Sequence, residues 1–288
     1  MLLASRAWAS PAVTYNFLIL ALEMDSYFEA IISGLVISCG GLSEAVVKES
    51  SSSLLRWCRT KKSTMSFRRL EMLASCLIHL FERHAFDDRV IVPLLKTTDM
   101  LLKNDILHFL NVKSHAFAHK LLHAVRTELN KSTDIGKIRL CIEILVSLLT
   151  FDDPVRPASL KSLLMLVGHR FPKVRKHAAD LLYLQLISDA NAVGITPSEV
   201  EVRGLNGEEN APQKCGLTPS TEKYDKACDL LLTTVWDGND LLAARAQREE
   251  LASAFGMSIA AAPIAPVRKA EASDELTSYS ALVRDAGY

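Results

Sequence analysis

The sequence predicts an all-α protein: a HEAT/armadillo-like α-solenoid of about five helix pairs, with one insertion and a flexible C-terminal tail. Three observations predict it. The chain has only 12 Gly and 10 Pro in 288 residues and is rich in Leu and Ala, a composition that favours helix. From Asp25 onward, apolar residues recur at three- and four-residue steps. Paired helical segments begin near residues 26, 66, 114, 153 and 222; the last interval is longer, and the first three are 40, 48 and 39 residues. That spacing falls close to the ~40–47-residue period of HEAT and armadillo repeats.

Residues 1–24 read as a leader of open status. Met1–Leu22 carries one charge, Arg6, and is open to reading as a poor targeting segment or as an unstructured leader. Helical repeats follow over 25–190. The first helix carries Tyr27, Phe28, Ile31, Ile32, Leu35 and Val36 and stops at Gly40-Gly41. Ser43 is placed to cap the second, which carries Val46, Val47, Leu54, Leu55 and Cys58. Met65–Phe81 and about Asp88–Lys103 form the next pair, with Pro93 expected near the first turn of the latter.

About Ser114–Leu129 and Ser132–Leu149 come next. The second of these is apolar nearly all round, so it should be buried between neighbours. Asp153–His169 and Pro172–Ser188 start at Asp-Pro and Phe-Pro, as helices with proline at N1 do. Asn191–Thr221 has the Gly, Pro and Glu content of an exposed loop. A final pair, about Glu222–Trp236 and Gly238–Phe255, covers 222–256. Residues 257–288 read as a tail.

Composition bounds the function. Lys+Arg and Asp+Glu are both 33, so the chain is not built mainly to coat nucleic acid. No apolar run reaches the ~18–20 residues of a membrane span. The six cysteines form no Cys-x-x-Cys pair, and four of them (Cys39, Cys58, Cys76 and Cys141) sit in apolar helical patterns. That fits a reducing compartment without a disulfide framework. Asn130-Lys131-Ser132 is then a chance sequon.

Catalytic signatures are missing from the sequence: there is no phosphate-loop, dinucleotide, nucleophile-elbow or His-Glu-x-x-His pattern. No catalytic residue, cofactor site or metal site is assigned. His115, His119 and His123 share a helix face, but no acid or cysteine accompanies them at metal-ligand spacing. They read as a solvated or partly packed face. Ser50–Ser53 reads as a small-residue packing face rather than a modification site.

Charge offers the better candidates. Between Lys48 and Arg69 there are seven cations (Lys48, Arg56, Arg59, Lys61, Lys62, Arg68 and Arg69) against Glu49, with Trp57 and Phe67 interleaved. A solvated inter-helix loop is one reading. A surface for an acidic protein is another, and it stands ahead of nucleic acid. Arg170, Lys173, Arg175 and Lys176 form a second candidate protein-binding cluster. Helical repeats without catalytic motifs most often present a binding surface.

Four strings in order carry a resemblance. They are Ser33-Gly34-Leu35-Val36-Ile37-Ser38-Cys39-Gly40-Gly41-Leu42-Ser43-Glu44; Val92-Pro93-Leu94-Leu95-Lys96-Thr97 followed by Phe117–Leu122 and Asn130–Lys137; His169-Arg170-Phe171-Pro172-Lys173-Val174-Arg175-Lys176; and Trp236-Asp237 followed by Arg245, Gln247, Arg248, Leu251 and Gly256. Over about Ser26–Gly256 the chain resembles the C-terminal part of the tubulin-folding cofactor D family. Met1–Met24, the 191–221 insertion and the tail do not resemble it.

The resemblance implies a chaperone rather than an enzyme. It implies binding of β-tubulin, joint action with cofactors C and E and an ADP-ribosylation-factor-like small GTPase, and assembly of the αβ heterodimer. GTPase activation is implied only for the cofactor complex, so no arginine here is assigned as a finger. The implied location is cytoplasmic, at microtubules or centrosomes. The family is several times longer than this chain, so a fragment or short form is expected. The rival readings are a HEAT-type transport or trafficking adaptor unrelated to tubulin, and a nucleic-acid-binding helical repeat.

Overall fold

The computed structural model describes residues 10–111, 116–130, 132–188 and 219–259. All regular structure among these residues is helical. The chain divides into two compact units at Val155/Arg156.

Among the described residues the first unit contains seven α-helices: α1 (Pro11–Ala21), α2 (Phe28–Cys39), α3 (Glu44–Ser63), α4 (Phe67–Arg83), α5 (Asp88–Lys103), α6 (Phe117–Leu129) and α7 (Ile135–Ser147). They pack in two layers. Helices α2, α5 and α7 are neighbours in one layer, and α1, α3, α4 and α6 follow one another in the other. The pairs α4/α5 and α6/α7 therefore repeat the same order. The first pair is swapped: α2 stacks with the second helices of the later pairs, and α3 with the first. Periodicity finds each helix but cannot assign its layer.

Helix α1 is part of this unit. It packs along α3, burying Tyr15, Ile19 and the following Leu22. The segment from Pro11 is therefore not the separate leader that the sequence suggested. Proline at N1 starts it without losing a helical hydrogen bond.

Local chemistry sets most of the other boundaries. Asp87 caps α5 by accepting from the Arg89 amide at 3.2 Å, and Asp134 caps α7 through Gly136 and Lys137 at 2.8 and 3.3 Å. Ser43 occupies the N-cap of α3, but its side chain makes no capping bond. Pro93 lies in the second turn of α5, later than expected, at a position that removes the hydrogen bond to the Arg89 carbonyl. Helix α2 and the turn after it meet α5 closely at this proline. Thr97 donates to Val36 O at 3.1 Å and to Pro93 O at 2.9 Å. Gly40 touches the Pro93 backbone, and a Cβ there would lie 2.2 Å from Pro93 Cα.

Leucines and isoleucines of α4, α5 and α7 fill the core between the layers. Leu73, Leu77, Leu94, Leu95, Ile142 and Leu145 are all essentially inaccessible. Ser50 and Ser53 are also buried, whereas Ser51 is half-buried and Ser52 exposed, so only two of the four serines pack; Ser50 returns its hydroxyl to Val46 O at 2.7 Å.

The second unit holds α8 (Val155–Val167), α9 (Pro172–Ser188), α10 (Pro219–Thr233) and α11 (Leu241–Ala254). Helix α9 packs on α10, and α10 on α11. Asp240 caps α11 through Leu242 and Ala243 at 2.9 and 3.0 Å. Helix α11 ends at Gly256, whose φ of 67° suits glycine. The expected insertion, up to residue 218, and the tail from 260 lie outside the described residues, as do His115, Lys131 and Cys215.

Candidate protein-binding surfaces

The cations between Lys48 and Arg69 belong to α3 and the start of α4, and folding sorts them into two groups. Three are engaged by acids from outside the segment. Lys61 Nζ lies 2.6 Å from Glu23 Oε1, Lys62 Nζ 2.6 Å from Asp105 Oδ2, and Arg69 Nη1 2.5 Å from Asp25 Oδ1. Each ties elements that are distant in sequence.

Lys62 also donates to Asp105 O at 2.7 Å and so holds a residue with a positive φ of 57°. Arg69 donates to Glu23 O at 2.7 Å and lies over the Phe28 ring. Glu23 further accepts from Trp57 Nε1 at 3.2 Å. The Lys61 hydrogen bond, working against burial, holds the Glu23 carboxyl below its usual range. These three cations act as clamps between elements.

The second group keeps its charge. Arg56 and Arg59 are exposed and donate only to neutral amides, of Asn16 and, at 2.8 Å, of Asn104. Lys48 and Arg68 are exposed and have no ion-pair partner among the described residues. The uncompensated surface is thus Lys48, Arg56, Arg59 and Arg68.

The second predicted cluster separates further. Arg175 is only 1% exposed. Its guanidinium donates to Trp236 O at 2.7 Å, His169 O at 2.9 Å, Arg170 O at 3.2 Å and Gly238 O. It joins the start of α9 to the turn between α10 and α11. This corrects its assignment to a binding surface: the guanidinium is consumed by backbone carbonyls. Arg170 is exposed and stacks on Phe171 at 4.5 Å. Lys176 is exposed, 3.6 Å from Asp180. Lys173 is exposed.

Beside Arg175, the His169 imidazole is held neutral. Burial lowers its pKa to about 4, helped by Arg170, Arg175 and Arg245. Its Nδ1 accepts from the Phe171 amide at 3.2 Å, which requires that nitrogen unprotonated.

Sequence reasoning passed over a buried ion pair. Lys137, 6% exposed, lies 2.6 Å from Glu128 Oε2 and 2.7 Å from Asp88 Oδ1, and Glu128 is 2% exposed. The other Glu128 oxygen accepts from the Phe86 amide at 3.0 Å, at a residue with φ of 67°. Burial by itself lowers the Lys137 pKa, but the bonds to Asp88 and Glu128 outweigh it and the net shift is upward. The pair connects the α4–α5 turn, α6 and α7.

His119 and His123 line a cavity of 380 Å³ with Ile78, Phe81, Glu82 and Ala124. No metal-holding group of three His, Cys, Asp or Glu occurs among the described residues. No helix is long and apolar enough to cross a membrane among those described.

Among the described residues, stacked helix pairs with a concentration of exposed cations on α3 and α4 define a helical-repeat module. Residues 3–137 match the family model described as tubulin folding cofactor D C terminal, and over this span the chain is similar to that region. The match begins at residue 3, so the expectation that Met1–Met24 stand apart from the family is corrected. It ends at residue 137, so the resembling strings at 169–176 and 236–256 lie beyond it. No solved structure matches the chain.

Proposed function

We propose that this chain is a tubulin-binding chaperone module. In this reading it engages β-tubulin and takes part in post-chaperonin folding and αβ-heterodimer assembly. The observation that carries the reading is the family match over residues 3–137, which includes every residue of the Lys48–Arg69 segment. The module is not itself an enzyme. It acts by mass action: binding one tubulin conformation stabilises that conformation and shields its surface. Cofactors C and E and an ADP-ribosylation-factor-like small GTPase are its partners, and GTPase activation belongs to that complex. The module works in the cytoplasm, at microtubules or centrosomes.

Tubulin's acidic surface gives the uncompensated cations a role in capture. The test is interferometry with the immobilised full chain and soluble tubulin at low and physiological salt. The quadruple reversal Lys48→Glu, Arg56→Glu, Arg59→Glu and Arg68→Glu should weaken capture about ten- to hundredfold at low salt, and less at higher salt. Unchanged affinity at low salt removes this patch from the interface.

A further inference from the structure

A second surface lies in the other layer of the first unit. The α2–α3 turn, α5 and α7 enclose a groove of 480 Å³. Three of the residues that line it, Gly40, Gly41 and Gly136, have no side chain. Val92, Pro93 and Leu140 give it a half-buried apolar floor. Leu42 stands at its mouth, 83% exposed.

The charges around the groove are unequally committed. Asp88 is paired with Lys137, Asp134 caps α7, and Glu143 is bonded to Lys103. Arg89 and Arg139 also line the groove, are exposed, and have no carboxylate partner among the described residues. The acids are spent inside the fold while two guanidinium groups remain for a ligand.

We propose that this groove binds an extended acidic peptide segment of a partner protein, with an apolar side chain on the Val92–Pro93–Leu140 floor and carboxylates on Arg89 and Arg139. Arginine forks suit carboxylates bidentately, and an apolar anchor between two such contacts fixes register. A polynucleotide fits less well: three carboxylates line the walls, and no aromatic ring among the lining residues offers a base-stacking platform. The proposal does not depend on tubulin as the partner, because the Lys48–Arg68 cations lie on α3 and α4 in the other layer.

The test is fluorescence anisotropy of the full chain with a fluorescein-labelled peptide of repeating Glu-Glu-Leu-Glu. Saturable binding is expected. Arg89→Glu/Arg139→Glu should weaken it about tenfold or more, as should replacing every Glu of the peptide by Gln. Leu42→Asp should also weaken it, and at so exposed a site the fold is retained. Lys223→Glu/Lys226→Glu on α10, with the same change in net charge, should leave it unchanged. The proposal is overturned by absence of binding, by equal binding to the Arg89/Arg139 variant, by an equal loss in the α10 variant, or by a single-stranded oligonucleotide that displaces the peptide at lower concentration than the unlabelled peptide does.

Discussion

Replacing Gly40 by alanine probes the contact that seats α2 on α5. The new Cβ would lie 2.2, 2.4 and 2.6 Å from Pro93 Cα, O and C. These are backbone atoms, so no rotamer change relieves the clash. Ordinary carbon contacts are about 3.5–4.0 Å, so the two helices must part by about 1 Å or more. Overpacking of this kind costs about 1–3 kcal/mol, with backbone clashes at the upper end. Gly40 has φ of −97° and ψ of 5°, which alanine also adopts, so the backbone angles add little strain. Alanine also lowers unfolded-state entropy, which offsets about 0.4–1 kcal/mol.

The net expectation is a loss of about 2 kcal/mol. Urea unfolding followed by circular dichroism reads it as a lower midpoint at unchanged slope. Gly34 is the internal control. It is exposed within α2, and a Cβ there meets nothing within 4 Å. Gly34→Ala should stabilise by about 0.5–1 kcal/mol. A Gly40→Ala protein as stable as the parent would refute the reasoning that this glycine sets the helix approach.

Two further outcomes follow from the buried charges. Lys137→Met leaves Glu128 buried without its cation and should cost about 3–5 kcal/mol, whereas Lys137→Met/Glu128→Leu should recover much of that loss; equal midpoints for the single and double variants would contradict the pair's role. His169 ordinarily titrates at 6.5 but reaches only about 4 in the fold, so protons favour the unfolded state as pH falls through that window. The stability difference between the parent and His169→Asn should therefore shift against the parent from pH 6.5 to 4 by up to about 3 kcal/mol and level off below. A pH-independent difference would show that His169 titrates normally in the fold.

The helices were legible because their apolar faces keep a regular period and few residues break them. The two-layer order was not: local pattern is the same whichever neighbour covers a face, so the swap of α2 and α3 leaves no trace in the sequence. Which surface cations are neutralised is hidden for a related reason. Glu23, Asp25 and Asp105, which neutralise Lys61, Arg69 and Lys62, lie 38, 44 and 43 positions away.

Arg175 did leave a signal. It stands in register with Ala179, Leu182 and Leu186 on the buried stripe of α9. Lys137 is likewise in register with Cys141, Ile144 and Leu148, and Glu128 with Leu121 and Val125. A charged residue in phase with an apolar stripe belongs to the core and needs a buried partner. The groove was invisible in sequence because its three glycines lie on two elements, at 40, 41 and 136. In the sequence, Gly40-Gly41 has the local signature of a helix stop.

The central claim is that this chain binds tubulin. Sedimentation velocity of the purified full chain mixed with tubulin tests it most directly. A faster species containing both proteins, growing with concentration and shrinking as salt is raised, is the predicted result. Independent sedimentation of the two proteins at every concentration and at low salt would contradict it.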